Sequence, residues 1–166
     1  MGRSCGILIA LACVASLQLS CGQPQDGVTA EGFAMYLLAD PSTPLGDLSQ
    51  QDLEDLTLAE TPLMTVRDIT SYSWRDHSFS VTPQALARLE AAGHRPFVVT
   101  VNQQRVYLGT FHPSYSSLYP GAVPIIRVTP AGPDLKLLPP LLAETVDLRG
   151  DERIRQSLEA AGVLVE

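Results

Sequence analysis

Cysteine is scarce in this chain, and its distribution excludes several classes of protein. The three cysteines are Cys5, Cys13 and Cys21, and none occurs after the first 21 residues. The rest of the chain therefore contains no cysteine pair. This excludes a disulfide framework there, and also a zinc site built on cysteines.

Basic charge is also scarce. Lys136 is the only lysine, and eleven basic residues stand against eighteen acidic ones, which gives a net charge of −7 and a pI near 4.8. Phosphate binding requires a basic surface, so nucleic acid is not expected as a partner. No run of five like charges occurs, so a charged tail is not expected either.

Catalytic motifs are missing as well. The chain has no G-x-S-x-G elbow and no phosphate-binding loop, and its histidines lack zinc-motif spacing. Asp76, His77 and Ser78 have triad residue types, but neighbours in one turn cannot adopt triad geometry. The sequence predicts no catalytic residues, no metal and no cofactor. One alternative stays open, a small hydrolase or metal-dependent enzyme using His77, His112 and a carboxylate.

The amino terminus has the pattern of an export signal. Arg3 precedes an apolar run of fourteen residues, Gly6–Leu19, which is too short to span a bilayer comfortably but suits a signal-peptide core. The run ends at Leu19-Ser20-Cys21-Gly22. A small residue directly before a cysteine at this place resembles the lipobox of bacterial lipoproteins, although Gln18 stands where that family prefers leucine.

The resemblance implies that Cys21 carries a diacylglycerol and that cleavage before it removes residues 1–20. Cys21 would then be the only mature cysteine, which is unusual for an exported protein unless its thiol is modified. The mature chain keeps ten basic and eighteen acidic residues, a charge of −8. By the family's sorting rule, Gly22 directs the protein to the outer membrane if the cell has two membranes.

Residues 21–31 are predicted to be the lipidated cysteine and a polar tether, and residues 32–166 a single globular domain. A flexible chain of about ten residues spans roughly 18 Å. Within the domain, Phe33–Ala39 is predicted to be a buried strand, with a buried helix turn as the alternative, and Ser49–Asp55 a short helix. Thr82-Pro83 is a strong helix start, and Gly93 ends that helix.

The second half of the domain is predicted to contain a hairpin and a final helix. Asn102-Gln103-Gln104 joins the two hairpin arms, and Asp151 caps the final helix, whose inward residues are Ile154, Leu158 and Ala161. Val123–Thr129 is expected at a sheet edge because Pro124 interrupts it. Pro130–Pro140 is expected to be irregular.

One loop is a candidate binding surface. His112–Gly121 is rich in serine and tyrosine and contains two prolines, which is typical of an exposed loop. Tyr115 and Tyr119 would offer large contact areas with few rotatable bonds, so they are the candidate partner-binding residues. The alternative is that both rings fold back over the hairpin.

The order of motifs from PLMTVRDI (62–69) through FSVTPQALARL (79–89) to PFVVTVNQQRVYLGTF (96–111) resembles the periplasmic head domain of the SecD protein-export family. The resemblance implies a compact α+β head, without the transport motor, since no transmembrane helices follow. The S-Y-x-W…H pair before such a helix is also similar to other bacterial lipoproteins, from which no function carries over.

These observations predict an α+β fold, with an antiparallel sheet of about five strands and two main helices packed on one face. They favour a lipid-anchored, non-enzymatic module that binds another envelope protein. A structural envelope protein with no defined ligand is the remaining alternative.

Overall fold

Strands dominate the part of the chain that the structure describes. The computed structural model describes residues 31–42, 53–113, 122–128, 134–142 and 146–165. Its elements are β1 (Phe33–Leu37), β2 (Met64–Thr65), β3 (Ile69–Ser73), β4 (Ser78–Val81), α1 (Pro83–Ala92), β5 (Pro96–Val101), β6 (Gln104–Pro113), β7 (Ile125–Val128), β8 (Asp134–Leu138), α2 (Glu152–Ala160) and β9 (Leu164–Val165). Two 3-10 helices, Val66–Asp68 and Leu148–Gly150, complete the set.

The nine strands form one mixed sheet in the order β2-β1-β5-β6-β7-β8-β4-β3-β9. Two neighbouring pairs, β6–β7 and β3–β9, are parallel, and the other pairs are antiparallel. The prediction of a five-stranded antiparallel sheet with two helices on one face was therefore wrong. The two-residue strands β2 and β9 are too short to produce an alternation of polar and apolar residues, so they left no pattern in the sequence.

The sheet curls into a half-barrel because of a short connection. Only the 3-10 helix Val66–Asp68 separates β2 from β3, yet these strands are the first and the eighth in the sheet. The two ends of the sheet must therefore approach each other in space. Helix α2 contacts β1, β5 and β9, and so lies across the opening between the two sides.

Local signals in the sequence explain where α1 and the β5–β6 turn begin and end. Thr82 caps α1 by accepting a hydrogen bond from the Ala85 amide at 3.3 Å, and Gly93 ends the helix at a φ of +65°. In the β5–β6 hairpin, Asn102 and Gln103 both adopt positive φ, 49° and 68°, the geometry that a two-residue turn requires. The helix start was thus predicted correctly. The hairpin turn lies within the predicted connection Asn102-Gln103-Gln104, but its last residue, Gln104, already begins β6.

Two predictions about the chain after the hairpin, for Val123–Thr129 and for Pro130–Pro140, were wrong. β7 lies in the middle of the sheet rather than at its edge, since Pro124 precedes the strand and removes none of its N–H groups. The Pro124 carbonyl instead accepts a hydrogen bond from the Thr110 amide at 3.0 Å. β8 lies inside Pro130–Pro140, which was expected to be irregular; Leu135 and Leu137 alternate with exposed residues there.

The concave side of the sheet is filled with side chains. The main core includes Phe33, Met35, Tyr72, Phe79, Leu89, Phe97, Tyr107, Phe111, Ile126, Leu137, Ile154 and Leu158. It leaves a central void of about 10 Å³, the lower limit for one water molecule. A smaller cluster, which includes Leu38, Val98 and Leu108, lies on the opposite side of β5 and β6.

Both helices contribute to the main core. Ile154 and Leu158 of α2 are buried as expected, but Ala161 is exposed because α2 ends before it. The predicted helix Ser49–Asp55 lies mostly outside the described residues, and Leu53–Asp55 form a turn. Neither α1 nor α2 is long and apolar enough to cross a bilayer.

Candidate functional site

Three of the predicted site residues lie outside the described ranges. Cys21 precedes the first described residue, and Tyr115 and Tyr119 belong to the segment between β6 and β7 that is not described. Their roles therefore stay predictions. The histidines can be placed.

His77 belongs to a cluster of aromatic and charged side chains at the turn between β3 and β4. The Tyr72 hydroxyl and His77 Nδ1 lie 3.1 Å apart, and the Trp74 ring meets the His77 ring edge-on with centroids 5.6 Å apart. Arg149 binds the Asp147 carboxylate through two hydrogen bonds and donates a third to the Leu137 carbonyl at 2.7 Å. The guanidinium of Arg149 thus joins the cluster to β8.

Burial controls the electrostatics of this cluster. Burial lowers the pKa of His77, and Arg149 lowers it further, while Asp147 and Asp76 act in the opposite direction. Burial also raises the pKa of Tyr72 above its ordinary value. Hydrogen bonds from Arg149 lower the pKa of Asp147. At neutral pH the cluster therefore contains the neutral imidazole of His77 and the neutral phenol of Tyr72 beside the ion pair of Arg149 and Asp147.

His112 lies elsewhere. It is a buried residue of β6 and pairs across the sheet with Arg127. Three inter-strand spacings, about 14 Å, separate β6 from β4 beside the His77 turn. Phe111 faces the main core, so the next side chain, His112, points to the other face of the sheet. The structure does not bring His77 and His112 together.

The described ranges also contain no group of three His, Cys, Asp or Glu side chains arranged to bind a metal ion.

A groove that the sequence did not indicate lies between α2 and the β5–β6 turn. Its volume is about 460 Å³. The lining residues come from four separate parts of the chain: Glu31, Gly32, Val66, Val101, Asn102, Gln104, Arg153, Gln156, Ser157, Ala160 and Ala161. Small residues of α2 and Gly32 form much of the surface, and amide and charged side chains surround it.

Gly32 shapes this groove and fixes the start of β1. Its amide donates to Asn102 Oδ1 at 2.8 Å, and the Asn102 amide donates back to the Gly32 carbonyl at 3.0 Å. The next amide, that of Phe33, donates to Ser157 Oγ at 2.7 Å. A Cβ atom on Gly32 would lie 2.9 Å from the same Oγ, and the φ of Gly32 is +77°. Glycine is therefore required here.

One cation of the groove is held in a fixed position. Arg153 donates to both carboxylate oxygens of Asp151, at 2.9 and 2.8 Å, and these hydrogen bonds lower the pKa of Asp151. The Arg153 side chain is still 45% exposed, so it can contact a bound molecule. Gln104 and Gln156 add exposed carboxamides, each able to donate and accept hydrogen bonds.

Comparison of the chain with protein-family models, with curated proteins and with solved structures found no match. The resemblances to the lipobox and to the SecD head therefore stay predictions. The groove itself could not have been found from a local motif, because β1, the β5–β6 turn and α2 meet only in the folded chain.

Proposed function

We propose that this chain is an exported, lipid-anchored envelope protein that binds another envelope protein without catalysing a reaction. The placement of Cys21 carries the anchoring part of the proposal. It directly follows an apolar run of signal-peptide length, and the chain has no later cysteine. The first described strand, β1, begins at Phe33, and we propose that the residues between Cys21 and this strand act as the tether.

The shape of the domain supports binding at its surface. The concave interior is filled by core side chains, whereas the groove beside α2 has about 460 Å³ of space, within the range of ligand sites. Its exposed carboxamides suit a polypeptide segment, because one carboxamide can pair with both the N–H and the C=O of a peptide. We assign partner binding to this groove, and Tyr115 and Tyr119 remain the candidate partner-binding residues that the sequence indicates.

The anchor is tested by changing Cys21 to Ser in intact cells. Without the thiol no lipid can be attached, so the variant is expected as unprocessed precursor or as soluble protein. Membrane fractionation and metabolic labelling with palmitate measure this. A Cys21→Ser protein that is processed and still membrane-attached would contradict the lipid anchor. In a two-membrane cell, separation of the inner and outer membranes after labelling would show whether Gly22 directs the protein to the outer membrane.

The groove is tested by site-specific photo-crosslinking in cells. A crosslinker in place of Gln156, which is exposed and lines the groove, is expected to capture one discrete partner. The matched control is Gln84, an exposed glutamine on α1 outside the groove. Ala160→Phe, which fills the groove with a ring, is expected to abolish capture from position 156. Equal capture from both positions, or capture that survives Ala160→Phe, would reject the groove as the site.

A further inference from the structure

The register of the sheet defines the end at which a tether would join the fold. Phe33, the first residue of β1, pairs with Val101, the last residue of β5. The turn Asn102–Gln103 follows directly, and Val101 pairs with Gln104 at the start of β6. The chain therefore enters β1 at the end of the sheet marked by this turn, which we name the tether end.

Strand directions show which other segments lie at the tether end. β6 runs away from it, β7 is parallel to β6, and β8 is antiparallel to β7, so β8 runs toward the tether end. β4 is antiparallel to β8, and β3 is antiparallel to β4. β3 and its parallel neighbour β9 therefore also run toward the tether end. α1, which joins the end of β4 to the start of β5, lies at the opposite end.

The exposed large apolar side chains of the described residues all follow or end strands that run this way. They are Leu141 at 58% exposure, Leu142 at 57%, Val146 at 73% and Val165 at 48%. Leu141 and Leu142 leave β8, and Val165 ends β9. Trp74, half-buried, follows β3, and its amide donates to the Val165 carbonyl at 3.2 Å. We name these five residues the apolar rim.

Leu141 and Leu142 follow β8, which ends at Leu138, and Arg149 in the next described stretch donates a hydrogen bond to the Leu137 carbonyl at 2.7 Å. The exposure of the two leucines, 58% and 57%, shows that neither is packed in the core. Leucine and valine are mostly buried in soluble proteins, so their concentration at one end indicates a contact surface.

We infer that the apolar rim rests on the bilayer surface and orients the domain with its tether end toward the membrane. This inference depends on the proposed lipid anchor at Cys21. Eleven peptide steps separate Cys21 from Gly32, a reach of at most about 40 Å, so the anchor keeps this end of the sheet near the lipid. The surface that the anchor brings into contact with the apolar rim is therefore the bilayer itself.

The charges around the rim suit apolar contact rather than attraction to anionic lipid. Arg75 and Asp76 lie in the turn beside Trp74, and Arg149 is paired with Asp147. Since Glu144 and Glu166 also adjoin rim residues in the sequence, these charges include no excess of bases. An interfacial contact of this kind is driven by buried apolar area. It should therefore form on neutral phosphatidylcholine and persist in high salt, which screens ionic attraction.

Trp74 is the only tryptophan, and it supplies the probe for the test. The full chain, purified from cells that process lipoproteins, is placed in phosphatidylcholine vesicles with either plain or brominated acyl chains, and vesicle flotation tests anchoring. Bromine quenches tryptophan on contact, so the expected result is weaker Trp74 fluorescence in the brominated vesicles. The double change Leu141→Gln and Leu142→Gln is expected to remove this loss of fluorescence.

The matched control is Ala87→Gln with Ala91→Gln on the exposed face of α1, at the opposite end of the sheet. It should leave the quenching unchanged. Thermal unfolding should place both double variants within about 2 °C of the unmodified chain, since exposed substitutions rarely change stability by more than ~0.5 kcal/mol.

The outcomes separate this inference from the anchor on which it depends. Failure of the unmodified chain to float would reject the anchor and the rim contact together. Flotation without bromine quenching, or quenching that the leucine changes do not affect, would reject the rim contact alone. Loss of partner capture in the leucine variant, without any quenching in the unmodified chain, would assign the rim to a protein and overturn membrane contact.

Discussion

Gly109 is the position at which the smallest change should have a clear effect on stability. It lies on β6 directly opposite Phe97 of β5. A Cβ atom added to Gly109 would lie 2.6 Å from Cε2 of Phe97, closer still to its Cζ, and 3.0 Å from the Pro124 carbonyl oxygen. Phe97 is fully buried and its ring centroid lies 4.8 Å from that of Phe111, so the ring has no space to retreat.

The expected magnitude for Gly109→Ala follows from two opposing effects. Overpacking a closed core costs about 1–3 kcal/mol, because neighbouring side chains must leave their preferred rotamers. Replacing glycine with alanine returns roughly 0.5–1 kcal/mol by reducing the freedom of the unfolded chain. The free energy of unfolding should therefore fall by about 1–2 kcal/mol, measured by urea unfolding.

Two further variants make the Gly109 prediction specific. Gly150→Ala is the matched control, because a Cβ atom there meets no heavy atom within 4 Å, and it should be stabilising by about 0.4–1 kcal/mol. In a Phe97→Leu background, which removes part of the ring, Gly109→Ala should cost less than in the unmodified chain. A Gly109→Ala protein as stable as the unmodified one would refute the packing described for β5 and β6.

Three predictions concern the helix, the histidine cluster and the tyrosine loop. Leu89→Ala should lower the free energy of unfolding by about 2–5 kcal/mol, since this leucine is buried, and an unmoved melting temperature would contradict its place in the core. Burial lowers the pKa of His77, so the folded state binds its proton less readily than the unfolded state. Stability should therefore fall as the pH drops from about 7 to about 5. The fall should be steeper than in a His77→Asn variant, a suitable control because asparagine tolerates the φ of +49° at this position. Parallel curves of stability against pH for the two proteins would refute this. Tyr115→Ala with Tyr119→Ala should reduce partner capture in cells and leave the melting temperature within about 2 °C, because exposed substitutions rarely exceed ~0.5 kcal/mol; unfolding would show that both rings are core.

Local signals in the sequence were sufficient for the elements that begin and end at capping or turn residues. Thr82-Pro83 and Gly93 delimit α1, and Asp151 caps α2 by accepting from the Arg153 amide at 2.9 Å. Thr65 and Asp68 have the residue types of a capping pair, and the Thr65 amide donates to Asp68 Oδ2 at 2.8 Å across the 3-10 helix before β3. These signals work because each hydrogen bond joins residues within a few positions of one another.

Local signals did not predict strand positions in the sheet correctly, because the pairing partners of a strand are distant in sequence. Pro124 suggested an edge strand, yet its position one residue before β7 leaves every strand amide available. The alternating buried residues Leu135 and Leu137 of β8 were not recognised as a strand because prolines lie nearby. The sequence alone does not show that these prolines lie outside the strand. Sheet order, and with it the curl between β2 and β3, depends on hydrogen bonds that no short window contains.

The sequence by itself determined the charge, the apolar run before Cys21 on which the proposed export signal rests, and the local starts and stops of α1, α2 and the β5–β6 hairpin. Only the tertiary structure decided that His77 and His112 lie on different sides of the sheet, and that Gly32, Asn102 and α2 enclose a groove. It also decided that the exposed leucines and Trp74 lie at the end where the chain enters the fold. The physical reason is that capping and turn preferences are fixed by neighbouring residues, whereas a surface is fixed by strand direction and register across the whole sheet.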